Sequence, residues 1–211
     1  MTAASERLFQ PSIPYPAFVP HAAQDTETLQ QFGFLPGLKE LLIVRQVHAL
    51  EHATVWMLEE MAQTPQSKRR VEQVSGMSGD RGFHLYGPVD VAELRQAVLR
   101  AQQRLVSGDW QLAVHPRCGT NLSVTMLLTL GLGAGINLFL PKDPIGQVLG
   151  FGMAAIAASS LAPDAGKLAQ QFVTTAIPFN LMVDEIVAES DRWGQPVHFV
   201  RVHWVDVERV L

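Results

Sequence analysis

The sequence predicts an α+β protein: a small helix, hairpin and helix domain, with a two-helix transmembrane hairpin inserted before a C-terminal helix and strand. Three observations predict it. Helical periodicity alternates with short β-prone pieces up to residue 121, two charge-free runs follow, and the final residues are β-branched and aromatic. Only 17% of the 211 residues are charged, which suits a chain with a membrane portion or an unusually large buried fraction. The net charge of −4, with no basic cluster, argues against nucleic acid as a partner. A single cysteine, Cys118, excludes an internal disulfide and leaves the thiol as a ligand or nucleophile.

Residues 1–35 contain scattered prolines and no continuous apolar core, so they read as an irregular arm without a secretion signal. Residues 36–121 form the predicted α+β domain. Pro36 and Gly37 open a helix whose periodicity runs from Leu38 to about Ala62, where Pro65 stops it, with Leu41, Val44 and Val55 on one side. Two β-prone pieces, near Val71–Met77 and Gly82–Tyr86, flank the turn at Ser78-Gly79-Asp80. Asp90 caps a helix from Val91 to about Val106, with Ala92, Leu94, Val98, Ala101 and Leu105 inward. The stretch "SGDWQLAVHP" reads as a turn and a brief strand that delivers His115.

Residues 122–163 carry the hairpin. Leu122–Leu140 and Ile145–Pro163 are each 19 residues without a charge, joined by "PKDP", and about 20 apolar residues cross a hydrocarbon core. Gly131/Gly135 and Gly146/Gly150, extended by Ala154 and Ala158, have the small-residue spacing that lets helices approach closely in lipid. A buried hairpin of a soluble protein is the competing reading. Arg117 and Lys167 flank the outer ends, while Lys142 is offset by Asp143, which places both flanks in the cytoplasm under the positive-inside rule. In residues 164–211 an amphipathic helix, a break near Pro178 and a second helix through Glu185 are expected. A strand over "PVHFVRVHWVDV" then joins the small sheet, with His198 and His203 on its surface.

The chemistry starts in the first long helix. His48 and His52 project from one face one turn apart, with Glu51 beside them, inside an otherwise apolar stripe. Burying such groups is costly unless they are paired or bound to a metal. Imidazoles at i and i+4 suit one zinc ion, and the H-x-x-E-H order is the inverted zincin arrangement, with the glutamate as general base. A satisfied polar cluster would show the same residues. "HPRCGTN" follows, in which His115 and Cys118 have metal-ligand spacing around a tight turn. Lone His84 in "GFHLYG" reads as a strand-surface residue. Gly131-Leu-Gly133-Ala-Gly135 lacks both the spacing and the strand-to-helix context of a nucleotide loop.

Three marks in order carry a family resemblance. They are His48, Glu51 and His52; then His115, Pro116, Cys118, Gly119 and Thr120; then Gln171, Thr174, Thr175, Pro178 and Glu185. The chain resembles most an uncharacterised, mainly cyanobacterial family, domain of unknown function 6391. That family shares its marks with domain of unknown function 1385, a group described as predicted metal-dependent membrane enzymes. The resemblance spans roughly Leu38 to Glu189 and implies a membrane hairpin and a metal site, but no substrate.

Two site models follow. A closed site takes His48, His52, His115 and Cys118 as four tetrahedral ligands of a structural metal. An open site joins His48 and His52 to one of His115, Cys118 or Glu185 and leaves a position for water, with Glu51 as base. The leading expectation is a zinc-dependent (or other divalent-metal) hydrolase of the inner membrane, with most of its chain cytoplasmic. Membrane lipid is its partner, and a peptide or membrane protein is the substrate class it allows. The alternative is a non-catalytic membrane scaffold or assembly factor with a structural metal. Axial haem ligation by one of these histidines is a weaker third alternative, because His48 and His52, neighbours on one helix, cannot both reach opposite faces of one haem.

Overall fold

A computed structural model describes residues 19–139 and 143–208. The helices are α1 (Gln24–Phe32), α2 (Leu38–Met61), α3 (Pro65–Glu72), α4 (Val91–Val106), α5 (Gly119–Asn137) and α6 (Pro144–Ala169). The strands are β1 (Ser75–Gly79), β2 (Gly82–Tyr86), β3 (Leu181–Ser190) and β4 (Pro196–Trp204), in the antiparallel order β1-β2-β4-β3. The α+β class is as expected.

Helix α2 is the central element. Gly37 precedes it in the left-handed region, at φ +82°, where a side chain would be strained. Val47, Leu50, Ala53, Met57 and Leu58 of α2 pack with Leu94, Val98, Ala101 and Leu105 of α4, and with Phe83, Leu85 and Val200 of the sheet. Elements close on its other side as well, so even Gln46 and Thr54 are fully buried, while Leu41, expected inward, is exposed. Asp90 caps α4 through the Ala92 and Glu93 amides, as its position predicts. Ala97 takes the inward place expected for Ala92, which faces solvent.

Several expectations are corrected. Part of the expected arm is helical, as α1; residues 1–18 lie outside the described residues. Pro65 does end α2, but it also opens α3, with Thr64 and Ser67 forming a capping box, so no strand begins at Val71. The strand expected before His115 is a 3-10 turn, Trp110–Ala113, closed by local bonds such as Leu112 N–H to the Asp109 carbonyl. The helix expected through Glu185 is β3. Asp191 Oδ1 accepts the Trp193 and Gln195 amides and Gly194 sits at φ +77°, which folds β3 onto β4 as a hairpin. His198 is buried rather than on the strand surface, and burial lowers its pKa against a smaller opposing pull from Asp90.

Helices α5 and α6 lie side by side. Helix α6 buries Gly146, Gly150, Ala154, Ala158, Ala162 and Gly166, one small residue per turn, against α5. On α5 the close approach is at Gly133, where a Cβ would overlap the Phe151 ring; the expected Gly131 and Gly135 face open space. The outer faces are apolar and bare, with Leu127, Ile145 and Ile156 69–73% exposed. Both helices are long and apolar enough to cross a membrane, and α5 buries little of itself within the protein, unlike a core helix. Pro163 lies inside α6 without ending it, and α6 runs on into a π-helical turn, Gln170–Thr174. The turn residues 140–142, including Lys142, lie outside the described residues.

Candidate metal centre

Three side chains converge where α2 passes the root of the hairpin. Helix α2 delivers His48 and His52, whose ring centroids are 4.3 Å apart. Cys118 caps α5, its sulfur accepting the Thr120 amide at 3.3 Å. The ligand-capable atoms of His48, His52 and Cys118 all lie within 4.8 Å of one another, His52 buried and the other two half-buried.

Backbone carbonyls fix which nitrogens point inward. His48 Nδ1 lies 3.0 Å from the Thr174 carbonyl and His52 Nδ1 lies 2.7 Å from the Ala113 carbonyl. A carbonyl can only accept, so each Nδ1 carries a proton, and in the neutral ring each Nε2 keeps its lone pair. His48 Nε2 is 3.2 Å from Cys118 Sγ. Burial pushes the Cys118 thiol up, but the His52 contact and the Thr120 amide outweigh it, so its pKa falls below the ordinary value. When both rings are neutral, two imidazole lone pairs face one sulfur, which has at most one proton to give. A divalent cation would satisfy all three atoms. Carbonyl-held imidazoles of this kind are the usual support of metal-binding histidines.

His115 lies beside this cluster, its ring centroid 5.9 Å from that of His52, but outside the converging set, and Glu185 is not brought to it. His115 Nδ1 accepts the Arg117 amide at 3.2 Å, its backbone N–H donates to Gln170 Oε1, and Trp56 packs edge-on to its ring. Burial first, then the positive fields of His52 and Arg117, lower its pKa to about 4. The ring is therefore neutral at pH 7, with its proton on Nε2, which has Glu59 at 3.7 Å. Glu185 is on exposed β3, paired with Arg201 at 3.2 Å.

Glu51 is buried beside the two histidines, but its carboxyl meets β1. Ser78 Oγ donates to its Oε2, and Gly76 packs so closely that a Cβ there would overlap the carboxyl. Desolvation raises its pKa, against opposing effects of Ser78 and His48.

Sequence reasoning missed Gln170, which is fully buried. Its side chain accepts from the His115 amide and donates to Asn121 Oδ1, while its carbonyl accepts from Thr175. A glutamine ending an apolar helix is the only signal the sequence carries. The expected Thr120 and Thr174 hydroxyls meet at 3.4 Å beside the cluster. His84 stacks on Phe199 in the sheet, away from the site.

Residues 43–186 match the family of domain of unknown function 6391, a range that holds all three converging side chains. An uncharacterized protein of the cyanobacterium Picosynechococcus sp. is 52% identical over 193 residues, covering 90% of this chain and 94% of that relative. No solved structure matches.

Proposed function

This chain belongs to the family of domain of unknown function 6391, and we propose that it is a membrane-anchored, metal-dependent hydrolase whose centre is His48, His52 and Cys118. The observation that carries the reading is the convergence of two carbonyl-fixed Nε2 lone pairs on one sulfur. Two nitrogens and a thiolate suit zinc, and three protein ligands leave the fourth tetrahedral position open. With His115 held by its own turn, the open arrangement is better supported than the closed one.

Bound there, zinc would supply a water with a pKa near 7. The residues of this chain set up what surrounds it. The Ala113 and Thr174 carbonyls hold the two imidazoles in their metal-binding tautomers. The raised pKa of Glu51 brings its carboxylate nearer the working range of a general base. Ser78 donates to Oε2, which leaves Oε1 as the atom to take a proton. The exposed apolar faces of α5 and α6 support insertion of the hairpin in the inner membrane, with Arg117 and Lys167 on the cytoplasmic side. A peptide or a membrane protein is the substrate class this placement favours.

One observation favours a second reading. The Glu51 carboxyl faces β1, where it also serves to fasten that strand to α2. The protein would then be a scaffold held together by the metal.

Elemental analysis of the full chain beside His48→Ala and Cys118→Ala should give one metal per wild-type chain and none in either variant. Wild type free of metal, with Cys118 alkylated rapidly, would replace the metal centre by a thiol nucleophile. Glu51→Gln decides between the two metal readings on a membrane-protein and peptide mixture. Retained metal with lost cleavage supports the base; a chelator that unfolds a wild type without cleavage supports the scaffold.

A further inference from the structure

Gln170 lies at the seam of three chain segments. It opens the π-helical turn Gln170–Thr174 and is fully buried, although a polar side chain ending an apolar helix has no reason of its own to leave water. Each of its bonds runs to a segment that holds one atom of the cluster. Its Oε1 accepts the His115 N–H at 2.8 Å, and two residues earlier the Ala113 carbonyl holds His52 Nδ1 at 2.7 Å. Its Nε2 donates to Asn121 Oδ1 at 2.8 Å. Asn121 in turn donates its side-chain amide to the Pro116 carbonyl and its backbone N–H to the Cys118 carbonyl, so it clasps the turn that carries the sulfur. The Gln170 carbonyl accepts both the N–H and the hydroxyl of Thr175, at 3.0 and 2.7 Å. The neighbouring Thr174 carbonyl holds His48 Nδ1 at 3.0 Å.

Two features make the arrangement specific. The ends of the network are backbone groups, the His115 N–H at one and the Pro116 carbonyl at the other, so donors and acceptors can alternate in only one sense. The Gln170 amide supplies an acceptor and a donor in that order, whereas an ionised glutamate would set an oxygen against Asn121 Oδ1. The second feature is a freed carbonyl. The residue four beyond Thr174 is Pro178, which has no N–H, so the Thr174 carbonyl is open to His48. The wider π-helical turn, closed on the Gln170 carbonyl by Thr175, sets where that carbonyl points.

We propose that Gln170 is the positioning residue of the cluster, setting the convergence of His48, His52 and Cys118 through Thr174, Ala113 and Asn121 while bonding to none of the three itself. Its effect on metal affinity rests on the metal-centre reading; the positioning does not.

The test uses the full chain in a neutral detergent. Gln170→Met keeps the length of the side chain and removes its bonds to His115 and Asn121. Gln46→Met is the control, since Gln46 is as deeply buried and also bonded at both ends of its amide, but to Asp25 and Asn180. Nitrogen-15 NMR of metal-free protein, at a pH where the rings are neutral, reads the imidazole tautomers. His48 and His52 should be protonated on Nδ1 in the wild type and in Gln46→Met, and should shift toward a mixture of tautomers in Gln170→Met. Cobalt(II), followed by its thiolate charge-transfer absorption, should bind Gln170→Met about 10–100-fold more weakly than wild type, the usual effect of losing such a support. Gln46→Met should keep the wild-type affinity even though it melts earlier. Unchanged tautomers in Gln170→Met overturn the proposal, and so does an equal loss of cobalt affinity in Gln46→Met. A wild type that binds no cobalt, but whose tautomers respond to Gln170→Met, retains the positioning role and removes the metal centre. Should Gln170→Met fail to fold, Asn121→Ala cuts only the link to the Cys118 turn. It should weaken cobalt binding several-fold with both tautomers intact, and wild-type affinity there overturns the proposal as well.

Discussion

His115→Asn tests whether the residue next to the cluster is a ligand or a brace. In the folded protein the His115 ring titrates near pH 4 instead of 6.5, chiefly because it is buried. Between those values the unfolded chain binds a proton that the folded chain refuses. Stability is therefore complete above about pH 6.5, falls as pH drops, and has lost the whole contribution near pH 4. At about 1.4 kcal/mol per pH unit, the loss amounts to no more than about 3.5 kcal/mol. The substituted asparagine can still accept the Arg117 amide but cannot charge. At pH 7.5 the variant should be weaker by about 1–2 kcal/mol, for packing lost against Trp56. Toward pH 4 the two proteins should converge or cross. The assay is unfolding of metal-free protein in neutral detergent across that pH range, followed by tryptophan fluorescence, with metal content measured separately at pH 7.5. Parallel stability profiles would refute the burial argument. Loss of the metal in His115→Asn would refute its exclusion from the ligand set and restore the closed site.

Other substitutions probe the supports of the site. Gln46→Leu strips the buried Asp25 carboxylate of its 2.6 Å donor and the Asn180 amide of its acceptor, and should cost about 2–4 kcal/mol in thermal unfolding. Gly166→Leu drives a side chain into Asn121, which holds Gln170, and should cost about 1–3 kcal/mol. An unchanged midpoint there would mean that the hairpin root does not pack against α5 as described.

The elements legible in the sequence were those whose periodicity allowed one interpretation. Helices α2 and α4 end at Pro65 and begin at Asp90, and α5 and α6 announce themselves by absence of charge. Strand β3 was not legible, because "MVDEIVAES" fits either period and only its pairing with β4 decides. Glu185 entered the ligand set as a carboxylate beyond the far end of the hairpin and as one of the family marks, and its place on exposed β3, paired with Arg201, takes it out. The members of the cluster were visible, His48 and His52 from their one-turn spacing and Cys118 from its motif with His115, and the fold brings the three together. Its supports were not, for the Ala113 and Thr174 carbonyls belong to the backbone and carry no residue signature. His115 shares a motif with Cys118, yet the turn that motif builds uses the imidazole for itself.

The position of the cluster gives the hairpin a second task. Cys118 is the first residue of the hairpin's own cap, and Thr174 closes the π-helical turn at its other end. The two histidines come from the core helix between them. Any movement of α5 against α6 at the root therefore changes either the sulfur or the carbonyl that orients His48. Asn121 and Gln170 oppose such movement by bridging α5 to the residue just past α6 at 2.8 Å. Small residues on every turn of α6 keep the helices close along their length. A metal bound at the root would lock that geometry. The site is thus placed where the state of the hairpin and the chemistry of the cluster cannot vary independently.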